Sequence, residues 1–307
     1  MKIIFMGTPQ IAVPCIEALY NNGYDIPLVV TQPDKPKGRG NKMQACPVKE
    51  FAVSKGIEVY QPEKLKNNQE AYEKLKSVDA DFYAVAAYGK ILPEEILALP
   101  KFAPVNVHFS LLPKYRGAAP VNWAIINGDK VTGVSTMFMD KGMDTGDILL
   151  MAETEINNKN AETLSNELSK LGADLLIETL NNFSNITPKK QDNNNATIAP
   201  MMKKDDGLID WNKEAVLIER EIRGFYPWPA VYTHIDGKLI KFFDADVDNN
   251  DISSEIGSIY NIDKSSFSVA TSKGGLIVKE VQLEGKKRMD AKSFMAGFSL
   301  SVGKKFE

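Results

Sequence analysis

Short apolar runs rich in β-branched residues alternate with segments of helical spacing through the first third of the chain. Ile3–Met6, Pro27–Thr31, Ile57–Tyr60, Phe82–Ala86 and Val105–Phe109 read as strands. Val13–Asn22, Val48–Lys55, Gln69–Ser77 and Glu94–Leu97 read as the helices between them. The strands are almost continuously apolar, so both faces of their sheet must be covered. That pattern predicts an α/β, Rossmann-like domain with a largely parallel sheet. Ligands of such folds bind beyond the carboxyl ends of the strands, where the strand order reverses.

Beyond Val107 the pattern changes. Val131–Met139 and Ile148–Ile156 read as strands joined by the turn-rich stretch Asp140–Asp147. Ala161–Phe183 carries Leu164, Leu168, Leu171, Leu175, Leu176 and Leu180 at helical spacing. The stretch that follows is polar, rich in Asn and without periodicity, which predicts a linker over residues 186–204. A helix around Lys213–Gly224 then precedes five short strands, Ala230–Ile235, Leu239–Ala245, Gly257–Asn261, Phe267–Ala270 and Leu276–Leu283. Short strands at that spacing suit a small, β-rich, OB-like barrel. Two domains are therefore expected, residues 1–185 and 205–307.

Composition narrows the compartment and the class. A net charge of −3 argues against a protein that coats nucleic acid without specificity, while leaving room for local basic patches. Two cysteines, Cys15 and Cys46, support neither a disulfide scaffold nor a Cys-based zinc site, and the cytoplasm is the expected compartment. No apolar run approaches the length that crosses a bilayer. The opening MKIIFMGTP meets Gly-Thr-Pro too soon for a secretory signal and reads as a first strand. The same segment lacks the G-x-G-x-x-G spacing, so no dinucleotide site is read from it.

Candidate chemistry concentrates in one region. His234 lies in a strand-like run beside a turn, where a loosely packed histidine is the simple explanation. His108 ends an apolar run, and strand alternation puts it on one face with Asn106. Such a pair is either catalytic or a pair of satisfied core polar groups, and alternation does not separate the two. The following loop holds Pro113, Arg116, Gly117 and Pro120 before a helix. The next turn offers Asp140, Asp144 and Asp147.

Taken together, Asn106-Val107-His108, Ser110-Leu111-Leu112-Pro113, Arg116-Gly117 and the GMDTGD turn resemble the folate-dependent formyltransferases, and the resemblance extends over nearly the whole chain. It implies that Asn106, His108 and Asp144 are catalytic, with Asp147 the rival carboxylate. It implies that Ser110, Leu111, Leu112 and Pro113 line the folate pocket, with 10-formyltetrahydrofolate as formyl donor and no metal. The chemistry gives these residue types a reason. Formyl transfer to an amine passes through a tetrahedral oxyanion, which fixed donors such as an amide and an imidazole stabilise. A carboxylate would orient the imidazole and help carry the proton of the attacking amine toward the departing folate nitrogen. Tyr88–Pro93 could wall the pterin pocket or simply pack in the core.

The acceptor rests on other features. The segment TQPDKPKGRGNKMQACPVKE carries Lys35, Lys37, Arg39, Lys42 and Lys49. Its PDKPKGRG stretch resembles the insertion by which the tRNA-acting members of the family clasp an acceptor stem, and Arg39 matches the position most directly used. A planar, permanently charged guanidinium suits phosphate and base-edge contacts. The tail DGLIDWNKEAVLIEREIRGFYPWPAVYT resembles the opening of that branch's C-terminal domain, with Trp211, Arg223, Pro227, Trp228 and Pro229 in place. Lys203, Lys204, Lys286, Lys287, Arg288, Lys304 and Lys305 are candidates for RNA backbone contacts. The resemblance thus implies methionyl initiator tRNA as acceptor and a monomer with no membrane partner. The alternatives are a nucleotide-linked amino sugar as acceptor, hydrolysis of the folate donor, or a non-catalytic RNA-binding protein.

Overall fold

The computed structural model describes residues 1–37 and 42–307. In chain order its elements begin with Lys2–Gly7 (β1), Val13–Asn21 (α1), Asp25–Val30 (β2), Lys35–Lys37 (β3), Lys42–Gln44 (β4), Pro47–Ser54 (α2) and Glu58–Tyr60 (β5). Then come Gln69–Ser77 (α3), Phe82–Ala86 (β6), Glu94–Leu97 (α4), Ala103–His108 (β7), Arg116–Gly117 (β8) and Pro120–Ile126 (α5). Val131–Phe138 (β9), Ile148–Glu155 (β10), Ala161–Asn181 (α6) and Ile198–Ala199 (β11) follow. The remainder is Ala215–Gly224 (α7), Val231–Ile235 (β12), Lys238–Asp248 (β13), Ile259–Ile262 (β14), Phe267–Ala270 (β15), Gly275–Leu283 (β16), Met289–Asp290 (β17) and Ala291–Gly297 (α8).

These elements pack as two compact units. The first comprises Met1–Pro120, Val131–Glu155 and Ser165–Pro200; the second comprises Val121–Lys130, Ile156–Leu164 and Met201–Glu307.

The first unit is built on a seven-stranded sheet in the order β10-β9-β7-β6-β1-β2-β5. The strands from β7 to β5 run parallel, whereas β9 and β10 are antiparallel. The central parallel strands β1, β6 and β7 are buried on both faces, as their nearly unbroken apolar sequences require. Beyond its first two residues β10 alternates half-buried and exposed positions instead, the mark of an antiparallel edge. On one face Ile4, Met6, Leu28, Val30, Tyr83 and Val85 meet Ala71 and Leu75 of α3 and Ile96 of α4. Each large apolar side chain so buried stabilises the fold by about 1.5–3 kcal/mol. The Asn68 side chain starts α3 by accepting from the Ala71 N–H at 3.1 Å. On the other face α6 lies so close that a Cβ at Gly172 would stand 2.9 Å from Val107. Strand order reverses at β1, which sends β2 and β5 to one side and β6 and β7 to the other. The carboxyl ends of these strands are therefore where a ligand site is expected.

The segment that composition marks as a linker is tied to this unit. Ile148 and Lys189 exchange backbone hydrogen bonds of 2.8 Å in both directions, and β11 pairs in parallel with β8.

The second unit carries a sheet in the order β12-β13-β16-β15-β14, with β17 on β16. Its antiparallel ladders cover an aromatic core in which Phe306 lies 5.8 Å from Trp211, 5.7 Å from Phe242 and 6.0 Å from Phe267, centroid to centroid. Ile218 and Ile222 of α7 join that core. The Asn122 amide donates to the Gly224 carbonyl at 2.7 Å, which ties α5 to the end of α7. Trp228, by contrast, is 54% exposed. No helix among the described residues is long and apolar enough to cross a membrane.

Candidate active site

Asn106 and His108 lie on β7 with their side chains on the face away from Val107, and both are buried. Asn106 stands opposite Val85 on β6 and Met137 on β9, and His108 stands opposite Ser135. The pair thus occupies the carboxyl end of a central strand. Among the described residues the Asn106 side chain has no hydrogen-bond partner, although only 8% of the residue is exposed. Its amide is not among the fully enclosed polar atoms that lack a partner, so it still reaches solvent, as a group that meets a ligand must.

The imidazole is held from two sides. Its Nε2 lies 2.9 Å from the Tyr115 carbonyl oxygen, which can only accept, so Nε2 carries a hydrogen. Its Nδ1 faces an Asp144 carboxylate oxygen at 3.7 Å, an ion-pair distance rather than a hydrogen bond. That same oxygen accepts the Gly117 N–H at 2.8 Å. Asp144 itself adopts a left-handed backbone with φ of 55°, uncommon for a residue with a Cβ. The structure brings Asp144 to the imidazole, and Asp140 serves the turn: its carboxylate accepts from the Gly142 N–H at 2.9 Å and the Thr145 hydroxyl at 2.7 Å.

The loop after β7 is closed by hydroxyls. Ser110 donates to the Lys114 carbonyl at 2.6 Å, while Ser135 donates to the Ser110 carbonyl at 2.7 Å and accepts from the Leu112 N–H at 3.1 Å. Ser110 and Leu112 are therefore buried, and Leu112 packs on Met137 and Ile148. Leu111 and Pro113 are the partly open members of the four. Gly117 has φ of 119°, and a Cβ there would stand 2.7 Å from the Ala199 carbonyl oxygen. Only glycine permits the β8–β11 pairing and the N–H that reaches Asp144.

Thr8, Gln32 and Tyr88 form a second polar cluster, at the ends of β1, β2 and β6. Thr8 donates to the Tyr88 carbonyl at 3.2 Å, and the Gln32 amide donates to the same oxygen at 2.9 Å. Burial pushes the Tyr88 phenol up to about 12 and keeps it a neutral hydroxyl. Arg39 lies outside the described residues. Among the described residues no group of three or more His, Cys, Asp or Glu side chains could hold a metal ion.

Comparison with known proteins then decides the family. Residues 1–180 match the formyl transferase family, and residues 201–299 match the formyl transferase C-terminal domain. The chain belongs to the formyl transferase family. The methionyl-tRNA formyltransferase of Caldanaerobacter subterraneus subsp. tengcongensis is 47% identical over 306 residues, 99% of each chain. Among solved structures, WlaRD, a sugar 3N-formyl transferase studied with dTDP and 5-N-formyl-THF, superposes with a TM-score of 0.67. It is 21% identical, with 94% of this chain and 99% of that one covered. A HypX variant from Aquifex aeolicus superposes with a TM-score of 0.65 at 14% identity, over 99% of this chain and 49% of that one. This formyl transferase thus spans about half the length of HypX, and at such identities the two structures speak for the fold alone.

Four contributors to the formyl transferase site are not marked by the sequence. The Tyr115 carbonyl and the Gly117 N–H act through backbone, which no side-chain pattern reports. Ser135 lies in β9 beside other small polar residues, Thr132 and Thr136, and nothing in the pattern singles it out. Gln191 lies in the Asn-rich stretch, yet its amide donates to the Asp144 carbonyl at 2.9 Å and to the Gly146 carbonyl at 2.7 Å.

Proposed function

We propose that this formyl transferase moves the formyl group of 10-formyltetrahydrofolate onto the free amino group of methionyl initiator tRNA. Identity of 47% over the full length to a relative named for that reaction carries the reading, and the side chains at the end of β7 supply its chemistry. The amine nitrogen attacks the formyl carbon, the carbon–nitrogen bond to the folate breaks, and a proton passes from the amine to the departing folate nitrogen. Asn106, whose amide has no partner among the described residues, donates to the oxyanion. His108 handles the proton at Nδ1, since Nε2–H is engaged by Tyr115. Asp144 holds the imidazole edge and balances the charge while the proton is in transit.

Leu111 and Pro113 offer surface to the folate, and Ser110 and Leu112 shape the loop from behind. Residues 1–185 carry catalysis and folate binding; residues 205–307, with Arg39 of the basic segment, bind the tRNA. The protein acts in the cytoplasm as a monomer and without a metal.

The test is an acceptor comparison. Purified protein with 10-formyltetrahydrofolate is given charged initiator tRNA or nucleotide-linked amino sugars. Transfer to the aminoacyl-tRNA alone, weakening as salt rises because phosphate contacts release counterions, is the expected result. Transfer to the amino sugar, or release of formate without either acceptor, overturns it.

A further inference from the structure

Asp144 is held through more than its carboxylate. Its left-handed backbone has to be kept in place by surrounding groups, because a φ of 55° on a non-glycine residue is disfavoured in isolation. Both hydrogens of the Gln191 amide point at this turn, one toward the Asp144 carbonyl at 2.9 Å and one toward the Gly146 carbonyl at 2.7 Å. The Gln191 oxygen faces the other way and accepts two N–H bonds from Arg116, at 3.1 Å from Nε and 2.8 Å from Nη2. Arg116 donates a third bond to the Asn193 oxygen at 2.9 Å.

This arrangement leaves no freedom in the amide. Turned over, Gln191 would present its NH2 to a guanidinium and its oxygen to two carbonyls, and every contact would be repulsive. Arg116 is 7% exposed, and its partners here are neutral amide oxygens. Among the described residues no carboxylate pairs with it, and a buried cation so placed is costly. Its neighbour Gly117 holds the Asp144 carboxylate directly. Residues 116 and 117 therefore reach Asp144 by two routes, one through its side chain and one through its backbone.

We propose that Gln191 is a positioning residue, oriented by Arg116, which sets the Asp144 turn so that its carboxylate faces Nδ1 of His108. This rests on the reading of Asn106, His108 and Asp144 as the catalytic set. Gln191 touches no reacting atom; it acts through the Asp144 and Gly146 carbonyls. The residue type fits the task, since an amide alone combines two donors for the turn with an acceptor for the guanidinium.

Gln191→Glu is the discriminating variant. It keeps the acceptor for Arg116 and turns that contact into an ion pair, so folding is retained, but it sets a carboxylate against two carbonyls. Single-turnover formyl transfer should slow about 10- to 100-fold, as for other groups that orient a catalytic residue, with KM for 10-formyltetrahydrofolate and the melting temperature held. In an Asp144→Asn background the same change should cost less than threefold, because two residues acting as one unit are not additive. Unchanged turnover in Gln191→Glu, or an equal loss in both backgrounds, overturns the proposal. His108→Ala measured in parallel separates the two levels. Full activity there defeats the catalytic reading itself, whereas a dead His108→Ala beside an active Gln191→Glu defeats only the positioning role.

Discussion

Nε2 of His108 donates to the carbonyl oxygen of Tyr115 across 2.9 Å, and this single bond decides which edge of the ring is left for chemistry. Nδ1 remains, 3.7 Å from Asp144. Glutamine at position 108 would place a donor near the site of Nε2 but nothing at Nδ1. His108→Gln should therefore keep the loop closed and the melting temperature near that of the native chain. Its kcat should fall by about 10²–10⁴, the usual range for loss of a proton-transferring group. A His108→Gln enzyme within tenfold of native turnover would show that Nδ1 carries no proton in the reaction.

Asn106 gives the converse case. The residue is largely buried, yet its amide has no partner among the described residues, so its removal breaks no bond of the resting protein. Asn106→Ala should lower kcat by about 10²–10³ through loss of an oxyanion donor. Thermal stability should change little. A large loss of melting temperature with proportionate loss of activity would mark the amide as structural instead.

The parallel strands and their helices are legible in the sequence because continuous apolar runs and helical spacing leave one solution. The Asn106–His108 face follows from strand alternation alone. Which carboxylate meets the imidazole does not, since Asp144 reaches it only through a left-handed backbone and the N–H of Gly117. Gln191 was hidden for a related reason. Its neighbours Lys189, Lys190, Asp192 and Asn193 have the composition of a connector, and only the fold shows which polar groups they satisfy. The two-residue strands β8, β11 and β17, the short helix α8 and the β3–β4 hairpin in the basic segment are too short or too polar to carry a hydrophobic period.

Lys49 belongs by sequence to the basic segment, but its charge is engaged within the first unit. Its ammonium lies 2.6 Å from Asp34, which directly precedes β3, and 2.7 Å from the Gln61 oxygen. The Gln61 amide donates to Asp34 at 2.9 Å. Hydrogen bonding to Lys49, then to Gln61, holds the Asp34 carboxyl below the usual range. The cluster ties the start of the hairpin to α2 just beyond its end. Lys49→Met should raise KM for tRNA about three- to tenfold, as expected of a partly buried pair worth about 1 kcal/mol. KM for the folate donor should not move. A parallel rise in both constants would indicate general damage rather than a misplaced hairpin.

Glu221, on α7 of the second unit, makes stability depend on pH in an identifiable direction. Burial raises its carboxyl above the ordinary value, and the hydrogen bond and charge of Lys213 offset only part of that rise. The folded state therefore holds the proton more tightly than the unfolded state does. Stability falls as pH climbs from the unfolded-state value, near 4.3, through the raised folded-state value. Gln at this position removes the titration, and the partly exposed Lys213 ammonium remains solvated. Over that acid window, Glu221→Gln should lose less melting temperature with rising pH than the native chain does. At neutral pH it should be at least as stable. Scanning calorimetry of both proteins across the window checks the sign. Parallel curves would mean that Lys213 compensates the burial of Glu221 in full.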